Sequence, residues 1–221
     1  MPTPRDILIA TNNPGKFREI VALLTENSDP SPERQRRDSS LGAIRWLSLA
    51  DLPQPIPEPH EDQSTFLGNA TLKATYYSKA AGMWALADDS GLEVDALGGK
   101  PGVHSAYFDH AAAHLPREAR DRANNAKLIA ELTTIPPEKR TARYHCILVL
   151  ADADRILATA DGVFEGRIID TPRGAGGFGY DPYFLVPELG RTVAELPAEE
   201  KNRLSHRGQA LRMMRTRLAN L

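Results

Sequence analysis

The chain has 221 residues, of which 41% are hydrophobic, so it can bury a substantial core as one domain or as two closely joined lobes. Its 27 basic and 29 acidic residues give a formal net charge of -2, which excludes a broad basic field for nucleic acid. The single cysteine, Cys146, excludes an intramolecular disulfide framework, and its apolar neighbours predict a buried thiol. The sequence shows neither a signal-like amino-terminal segment nor an apolar run of bilayer length. We therefore expect a cytoplasmic protein that does not enter a membrane.

The first half of the chain alternates between strand and helix patterns. Its predicted elements are a strand at 5–11, a helix that begins at Pro14, an exposed charged insertion at 26–40, a strand at 44–49, a helix from Ser64 or Thr65 to about Ala81, and a strand at 83–87. Gly82 stands where a helix terminator is expected.

The second half contains strand patterns that pair locally. Its predicted elements are an alternating segment at 103–108, a polar helix at 117–132, hairpin strands at 143–150 and 156–163 with an extension at 164–169, and helices at 197–204 and 205–218. Strands that first alternate with helices and later pair with each other predict an α/β fold with a mixed sheet. We find no internal repeat and no flexible linker in the sequence.

Two adjacent acids, Asp88 and Asp89, end the apolar run that precedes Ser90 and Gly91. Successive strand residues point to opposite faces, and a turn at Ser90-Gly91 would bring both carboxylates to one ligand. Mg²⁺ prefers one or two carboxylates together with phosphate oxygens and water, and Glu61 is a further candidate ligand. A carboxylate beside the metal can accept a proton from an attacking water. The alternative is that the two acids serve only as turn or cap residues.

A second motif, Thr11-Asn12-Asn13-Pro14-Gly15-Lys16, joins the first strand to its helix. Asn13 suits the cap position and Pro14 the first helical position, so the following backbone N–H groups form an anion site. Lys16 opposes the helix macrodipole unless an anion lies beside it. Phe17 follows Lys16 where a Walker A motif needs Ser or Thr, so the loop is not of that type. An ordinary capped helix with a surface lysine explains the same residues.

Cations also begin the last predicted helix, where Ser205 can act as the cap of a helix that starts with His206 and Arg207. Lys201 lies four residues before Ser205 and can reach the same region. Two sets of cations at helix amino termini favour a polyanionic ligand, although a solvated basic face is the alternative.

The glycine-rich segment at 173–182 contains Phe178, which is available to stack on a flat ligand. A structural turn with a core phenylalanine is the alternative. On the helix at 65–81, Lys73 shares a face with Asn69, and it is an exposed lysine unless that face borders the site.

Several motifs together closely resemble the inosine triphosphate pyrophosphatase (Ham1-like) family. The resemblance runs in order from Ile7 to the carboxyl terminus, and it rests on residues 11–16, 65–74, 87–92, 98–102, 176–182 and 205–211. It implies a two-lobed α/β fold, with an elongated central mixed sheet flanked by helices. It also implies that residues 1–221 form a single domain with a nucleotide cleft between its lobes. The family activity is Mg²⁺-dependent hydrolysis of inosine, deoxyinosine and xanthosine triphosphates to the monophosphate and pyrophosphate by a homodimer.

The resemblance also implies roles for individual residues. Asp89 would be the general base and a further metal ligand beside Glu61 and Asp88. The substrate-binding residues would be Thr11, Asn12, Asn13, Pro14, Gly15, Lys16 and Lys73 for the phosphates, and Ser90, Phe178, Gly179, Tyr180, Asp181, Lys201, His206 and Arg207 for the rest of the nucleotide. This chain departs from the family pattern in its long segment at 26–40 and in Asn12, where glycine is frequent.

Two other functions remain open at this point. A Maf-like pyrophosphatase of modified or pyrimidine nucleotides shares the chemistry, but it should lack the ending at 205–208. A nucleotide-binding regulator without turnover would not need a base beside a metal. We further hypothesise that Arg207, or a neighbouring backbone N–H group, donates to the 6-keto oxygen of the purine, which adenine lacks.

Overall fold

The computed structural model describes residues 5–25 and 44–221, so the predicted insertion at 26–40 lies outside the described residues. The strands are β1 (Arg5–Ile9), β2 (Ile44–Ser48), β3 (Trp84–Val94), β4 (Thr141–Asp152), β5 (Arg155–Ile168), β6 (Phe184–Val186) and β7 (Arg191–Thr192). The α-helices are α1 (Pro14–Thr25), α2 (Phe66–Ala81), α3 (Arg117–Leu132), α4 (Ala198–Leu204) and α5 (His206–Leu218).

In the described part of the chain the strands form a seven-stranded sheet in the order β2-β1-β3-β4-β5-β6-β7. The sheet is mixed, because β1 is parallel to β2 and β3 whereas β6 is antiparallel to β5 and β7. The predicted α/β class with a mixed sheet is confirmed.

The chain divides into two compact units. The first unit contains the described residues up to Asp89 together with Ile147–Asp161 and Gly208–Leu221. The second unit contains Ser90–Cys146 and Gly162–Arg207.

In the first unit, local signals determine where the helices begin and end. Asn13 accepts hydrogen bonds at its side-chain oxygen from the backbone N–H groups of Gly15 and Lys16, which caps α1. Thr65 caps α2 in the same way by accepting from Gly68, and Gly82 ends α2 in a left-handed conformation with φ 65°. The predicted cap at Asn13, the predicted start of α2 at Thr65 and the predicted terminator at Gly82 are confirmed. The apolar face of α2 packs against small side chains of β3 in a buried cluster that contains Leu8, Ala10, Ala70, Ala74, Tyr77, Ala85, Ala87, Val149 and Ala151.

The buried core of the second unit contains more aromatic residues than the cluster described in the first unit. Phe184 is fully buried, and its ring stacks on that of Tyr144 with a centroid distance of 4.5 Å. Leu128 and Leu132 of α3 belong to the same cluster. This core holds one face of the polar helix α3 in place.

Two expectations about local structure are wrong. The turn predicted at Ser90-Gly91 does not form, because β3 continues through both residues to Val94. The alternating segment at 103–108 is not a strand, since Gly102–Tyr107 forms a 3-10 helix. There the Ser105 hydroxyl donates to the Gly102 carbonyl and accepts from the Leu92 N–H. These side-chain bonds favour the helical turn over an extended chain.

Two further predictions concern burial and membranes. Cys146 is fully buried in β4, which confirms the prediction of a buried thiol. Among the helices in the described ranges, none has the length and apolar character needed to cross a membrane.

Candidate active site

The loop between β1 and α1 is pinned by its own side chains. The Thr11 hydroxyl accepts from the Asn13 N–H at 3.2 Å, and the Asn13 side chain then accepts from Gly15 at 2.9 Å and Lys16 at 3.2 Å. These bonds fix the first turn of α1 in place. The expected anion site at the backbone N–H groups of this turn is wrong, because Gly15 and Lys16 donate to Asn13 and Phe17 donates to the Asn13 carbonyl. Asn12 is exposed in this loop, and Pro14 is the first helical residue.

Lys16 has an anionic partner within the protein. Its Nζ lies 3.0 Å from Oδ2 of Asp88, whose side chain is 3% exposed, whereas the Lys16 side chain is 27% exposed. The cation at the start of α1 is therefore balanced by a buried carboxylate. Because Lys16 remains partly exposed, it can also contact an anion from solvent.

Lys73 projects from the middle of α2 and contacts two carboxylates. Its Nζ lies 2.9 Å from Glu61 Oε2 and 3.1 Å from Asp89 Oδ1. The other oxygen of Asp89 accepts from Asn69 Nδ2 at 3.2 Å. The carbonyl oxygen of the Asn69 side chain accepts from the Gln63 N–H at 3.0 Å, which ties the segment after Glu61 to α2. Both oxygens of Asp89 are thus oriented by side chains of one helix.

Burial and charge shift the pKa values of this pair. Burial lowers the pKa of Lys73, but the carboxylates of Asp89, Asp88 and Glu61 outweigh it and raise that pKa to about 12. Burial is also the largest influence on Asp89, and it raises the pKa of this carboxyl to about 6 although Lys73 acts in the opposite direction. Lys73 is therefore charged at neutral pH, and Asp89 can exchange a proton close to neutral pH. A carboxyl with such a pKa is suited to general-base chemistry.

Asp88 and Asp89 point to opposite faces of β3, as expected for successive strand residues. Asp89 shares its face with Ala85 and Ala87, which pack on α2, and Asp88 instead meets Lys16 of α1. Within residues 5–25 and 44–221, no three His, Cys, Asp or Glu side chains are grouped as a ready-made metal site. Glu61, Asp88 and Asp89 nevertheless suit Mg²⁺ in their chemistry, because that ion needs few protein carboxylates when phosphate oxygens and water complete its shell.

In the second unit, Asp181 is the centre of a hydrogen-bond network. Its buried carboxylate accepts from Tyr144 Oη at 3.1 Å, from the Phe178 N–H at 2.9 Å and from Lys201 Nζ at 2.6 Å. Gly177 makes this approach possible, since a Cβ at that position would lie 2.1 Å from Asp181 Oδ2. The glycine-rich segment thus folds tightly around one carboxylate.

Tyr144 connects this network to the start of α5. Its ring stacks on His206 with a centroid distance of 5.0 Å and an interplanar angle of 17°. Next to His206, Arg207 is buried, and its Nη2 donates to Ser90 Oγ at 3.3 Å. The structure therefore connects Asp181 to His206 through Tyr144 and to Lys201 directly.

Phe178 and Tyr180 face different surroundings. The Phe178 ring is 46% exposed, and Lys201 Nζ lies 4.8 Å from its centroid. A large exposed aromatic ring of this kind can stack on a flat ligand. Tyr180 is buried, and its hydroxyl donates to the Ser105 carbonyl at 2.8 Å, so only its backbone remains for a ligand.

Sequence reasoning missed two residues of this site. Asn69 orients Asp89, and the signal available for it was its position one helical turn before Lys73, on the same face of α2. Tyr144 lies on β4 among apolar neighbours, and no local motif indicates that its hydroxyl reaches Asp181.

Comparison with known proteins finds similar chains over nearly the full length of this one. A family model described as the Ham1 family matches residues 7–217. A dITP/XTP pyrophosphatase of Geobacter sulfurreducens is 46% identical over 96% of this chain and 96% of its own length. A dITP/XTP pyrophosphatase of Anaeromyxobacter sp. is 45% identical over 98% of this chain and 97% of its own length. The solved structure of a HAM1 protein from Coxiella burnetii matches with a TM-score of 0.82 and 34% identity, over 98% of this chain and 100% of that chain.

Proposed function

This chain belongs to the Ham1 family, and on that premise we propose that it hydrolyses inosine, deoxyinosine and xanthosine triphosphates to the monophosphate and pyrophosphate. The observation that carries the proposal is the arrangement around Lys73, where one ammonium contacts the carboxylates of Glu61 and Asp89. A cation, a proton acceptor and further carboxylates within one cluster are what hydrolysis of a phosphoanhydride requires.

The phosphates would be held by the loop at 11–16 and by Lys73. The N–H groups of Gly15 and Lys16 are bonded to Asn13, so the loop would act mainly through Lys16, which adds a partly exposed cation. Glu61, Asp88 and Asp89 would hold Mg²⁺, which neutralises charge on the phosphate oxygens when it is bound. These contacts would also stabilise the charge that develops on the departing pyrophosphate.

Asp89 would act as the general base. It would accept a proton from the water that attacks the α-phosphorus, and the bond between the α- and β-phosphates would break as pyrophosphate leaves. In the metal-free protein burial raises the pKa of Asp89 to about 6, which keeps the carboxylate mostly ionised at neutral pH and still basic enough to accept a proton. Asn69 and Lys73 would hold its two oxygens in a fixed orientation.

The nucleobase would be bound by residues of the second unit. Phe178 offers an exposed ring for stacking, and Lys201 and His206 are held in place by Asp181 and Tyr144. Ser90 and the backbone of Gly179 and Tyr180 would add contacts to the substrate. Arg207 would donate to the 6-keto oxygen of hypoxanthine or xanthine. The amino group of adenine cannot accept that bond, so adenosine triphosphate would bind poorly.

Product analysis tests the proposal directly. The purified chain is incubated with purine and pyrimidine triphosphates, with and without Mg²⁺, and the products are separated by ion-exchange chromatography. We expect pyrophosphate and monophosphate from the inosine and xanthosine nucleotides, only when Mg²⁺ is present. Orthophosphate and diphosphate would contradict the proposal, and preferred turnover of pyrimidine nucleotides would favour the Maf-like alternative.

The variant Asp89→Asn distinguishes an enzyme from a nucleotide-binding regulator. Without the base we expect turnover to fall by about 10²- to 10⁴-fold while nucleotide binding persists. The exposed Asp161 provides a control, because Asp161→Asn removes a carboxylate of the same unit outside the site. Unchanged turnover in Asp89→Asn would exclude Asp89 as the base.

We also propose that the chain acts as a homodimer, as its resemblance to the family implies. Size-exclusion chromatography with light-scattering detection should then give a mass of twice the chain mass of 24.3 kDa.

A further inference from the structure

Helix α3 holds the backbone of Gly179 at both of its polar groups. The Gly179 N–H donates to Oδ2 of Asp121 at 3.2 Å, and the Gly179 carbonyl accepts from Nδ2 of Asn125 at 2.9 Å. Asn125 also donates to the Asp121 carbonyl at 2.9 Å, which fixes the orientation of its side-chain amide. Asp121 and Asn125, which are one helical turn apart, therefore hold the backbone of Gly179 in the glycine-rich segment.

The same helix contacts the ring that precedes Gly179. The guanidinium carbon of Arg117 lies 4.7 Å from the centroid of the Phe178 ring, within the range of a cation–π interaction. Arg117 also faces Asp121 one turn later, with Nε 3.8 Å from Oδ2. The contacts thus run from Phe178 through Arg117 and Asp121 back to Gly179.

Within the glycine-rich segment Asp181 holds the Phe178 N–H, but the glycines on either side of Phe178 do little to fix the direction of its ring. Gly177 and Gly179 have positive φ values of 74° and 60°, and neither has a side chain to pack. Phe178 is 46% exposed, so its ring is held less by core packing than by the cations of Arg117 and Lys201. A loop of this kind would lose conformational freedom whenever it bound a ligand, unless other residues had already ordered it.

We propose that Arg117, Asp121 and Asn125 are positioning residues that pre-order Phe178 and Gly179 for the nucleobase. The proposal rests on the proposed function, and it adds α3 to the determinants of base recognition. Asp121 and Asn125 hold the backbone, and Arg117 adds a second cation to the ring that Lys201 also contacts. Because these contacts involve the loop assigned to the base and none of the residues assigned to the phosphates, they act on base binding and leave pyrophosphate binding unchanged.

The test uses the full chain with four substitutions. Arg117→Ala removes the cation over the ring, Asp121→Ala removes the acceptor for Gly179, and Asp121→Asn restores an uncharged acceptor. Arg122→Ala is the matched control, because Arg122 is an exposed arginine on the same helix. For each protein, KM and kcat are measured with inosine triphosphate. Titration calorimetry then gives the dissociation constants of inosine monophosphate and of pyrophosphate.

We expect Arg117→Ala and Asp121→Ala to raise KM and the dissociation constant of inosine monophosphate roughly tenfold, with kcat and pyrophosphate binding near the unsubstituted values. Asp121→Asn should recover much of the loss, and Arg122→Ala should match the unsubstituted protein. If a variant lost affinity for inosine monophosphate and for pyrophosphate to the same extent, the substitution would have disturbed the fold as a whole, and the proposal would be overturned. Unchanged constants in both alanine variants would overturn it as well. Failure of the proposed function differs from both results, since the unsubstituted chain would then release no pyrophosphate.

Discussion

The ammonium of Lys73 lies 3.1 Å from the carboxylate of Asp89, and this contact joins the middle of α2 to β3. The same ammonium lies 2.9 Å from Glu61, so one cation balances two acids in a largely buried position. A metal ion and a triphosphate that enter this cluster would add charge of both signs. Lys73 can then redistribute its contacts between carboxylate and phosphate oxygens without leaving the site.

Replacement of Lys73 by methionine tests this central role. Lys73→Met keeps a long side chain on α2 but removes the charge that faces Glu61 and Asp89. We expect kcat/KM for inosine triphosphate to fall by about 10²- to 10³-fold, because a charge-stabilising contact to the phosphates is lost. Lys79→Met is the control, since the Lys79 side chain on the same helix is 51% exposed. Equal activity of the two variants would show that Lys73 does not touch the substrate.

The raised pKa of Asp89 predicts a titration close to neutral pH. In the metal-free protein, we expect the Asp89 carboxyl signal in a ¹³C NMR titration to have its midpoint at about 6. Below its midpoint the carboxyl is protonated and cannot accept a proton, so activity should decline on the acid side of the midpoint that Asp89 has with Mg²⁺ bound. Added Mg²⁺ should move the midpoint to lower pH, because a nearby cation favours the ionised form. A midpoint near 4 in the metal-free protein, which is about the ordinary value for aspartate, would contradict the role given to burial.

Arg207 is predicted to discriminate between purines. Arg207→Ala should reduce kcat/KM for inosine triphosphate about 10- to 100-fold more than for adenosine triphosphate, because only the keto base loses a hydrogen bond. The exposed Arg217 of the same helix serves as the control in Arg217→Ala. If Arg207→Ala lowers both activities by the same factor, Arg207 does not read the base.

Ser78 is predicted to matter for stability and not for catalysis. Its buried hydroxyl donates to the Met83 carbonyl at 2.7 Å and accepts from the Ala153 N–H at 2.8 Å. Ser78→Ala leaves both groups without this partner, so urea unfolding should show a loss of about 1–3 kcal/mol in the free energy of unfolding. In contrast, the Thr75 hydroxyl bonds only to carbonyls of its own helix, so Thr75→Ala should cost less. Activity of the folded Ser78→Ala protein should be unchanged.

Helix boundaries were predictable because their signals are local. Asn13, Thr65 and Gly82 lie within a few residues of the backbone groups they cap, so the sequence alone indicates where α1 begins and where α2 begins and ends. Ser90 and Gly91 also carry a local turn signal, but there the prediction is wrong. Their strand lies between β1 and β4 in the sheet, and pairing with a strand far along the chain overrides local preference.

The candidate site was predictable as a set of residue types and not as a set of contacts. Asp88 and Lys16 were both identified from motifs, but their ion pair joins positions 72 residues apart. The Tyr144 hydroxyl reaches Asp181 across 37 residues, and no motif indicates it. Contacts of this kind arise from packing, so single-sequence patterns leave them undetermined.

The alternation of side chains along β3 has a consequence for insertions and deletions. Asp88 and Asp89 are adjacent in the strand and therefore point to opposite faces. Asp88 pairs with Lys16 of α1 on one face, and Asp89 pairs with Lys73 of α2 on the other. Loss of one residue between Trp84 and Ala87 would move each acid to the opposite face and present it to the wrong helix. The strand would keep much of its apolar character, since Ala85, Leu86 and Ala87 are buried on both faces. The number of residues in this short alanine-rich run therefore fixes the face on which each acid lies. The run should tolerate substitutions better than insertions or deletions.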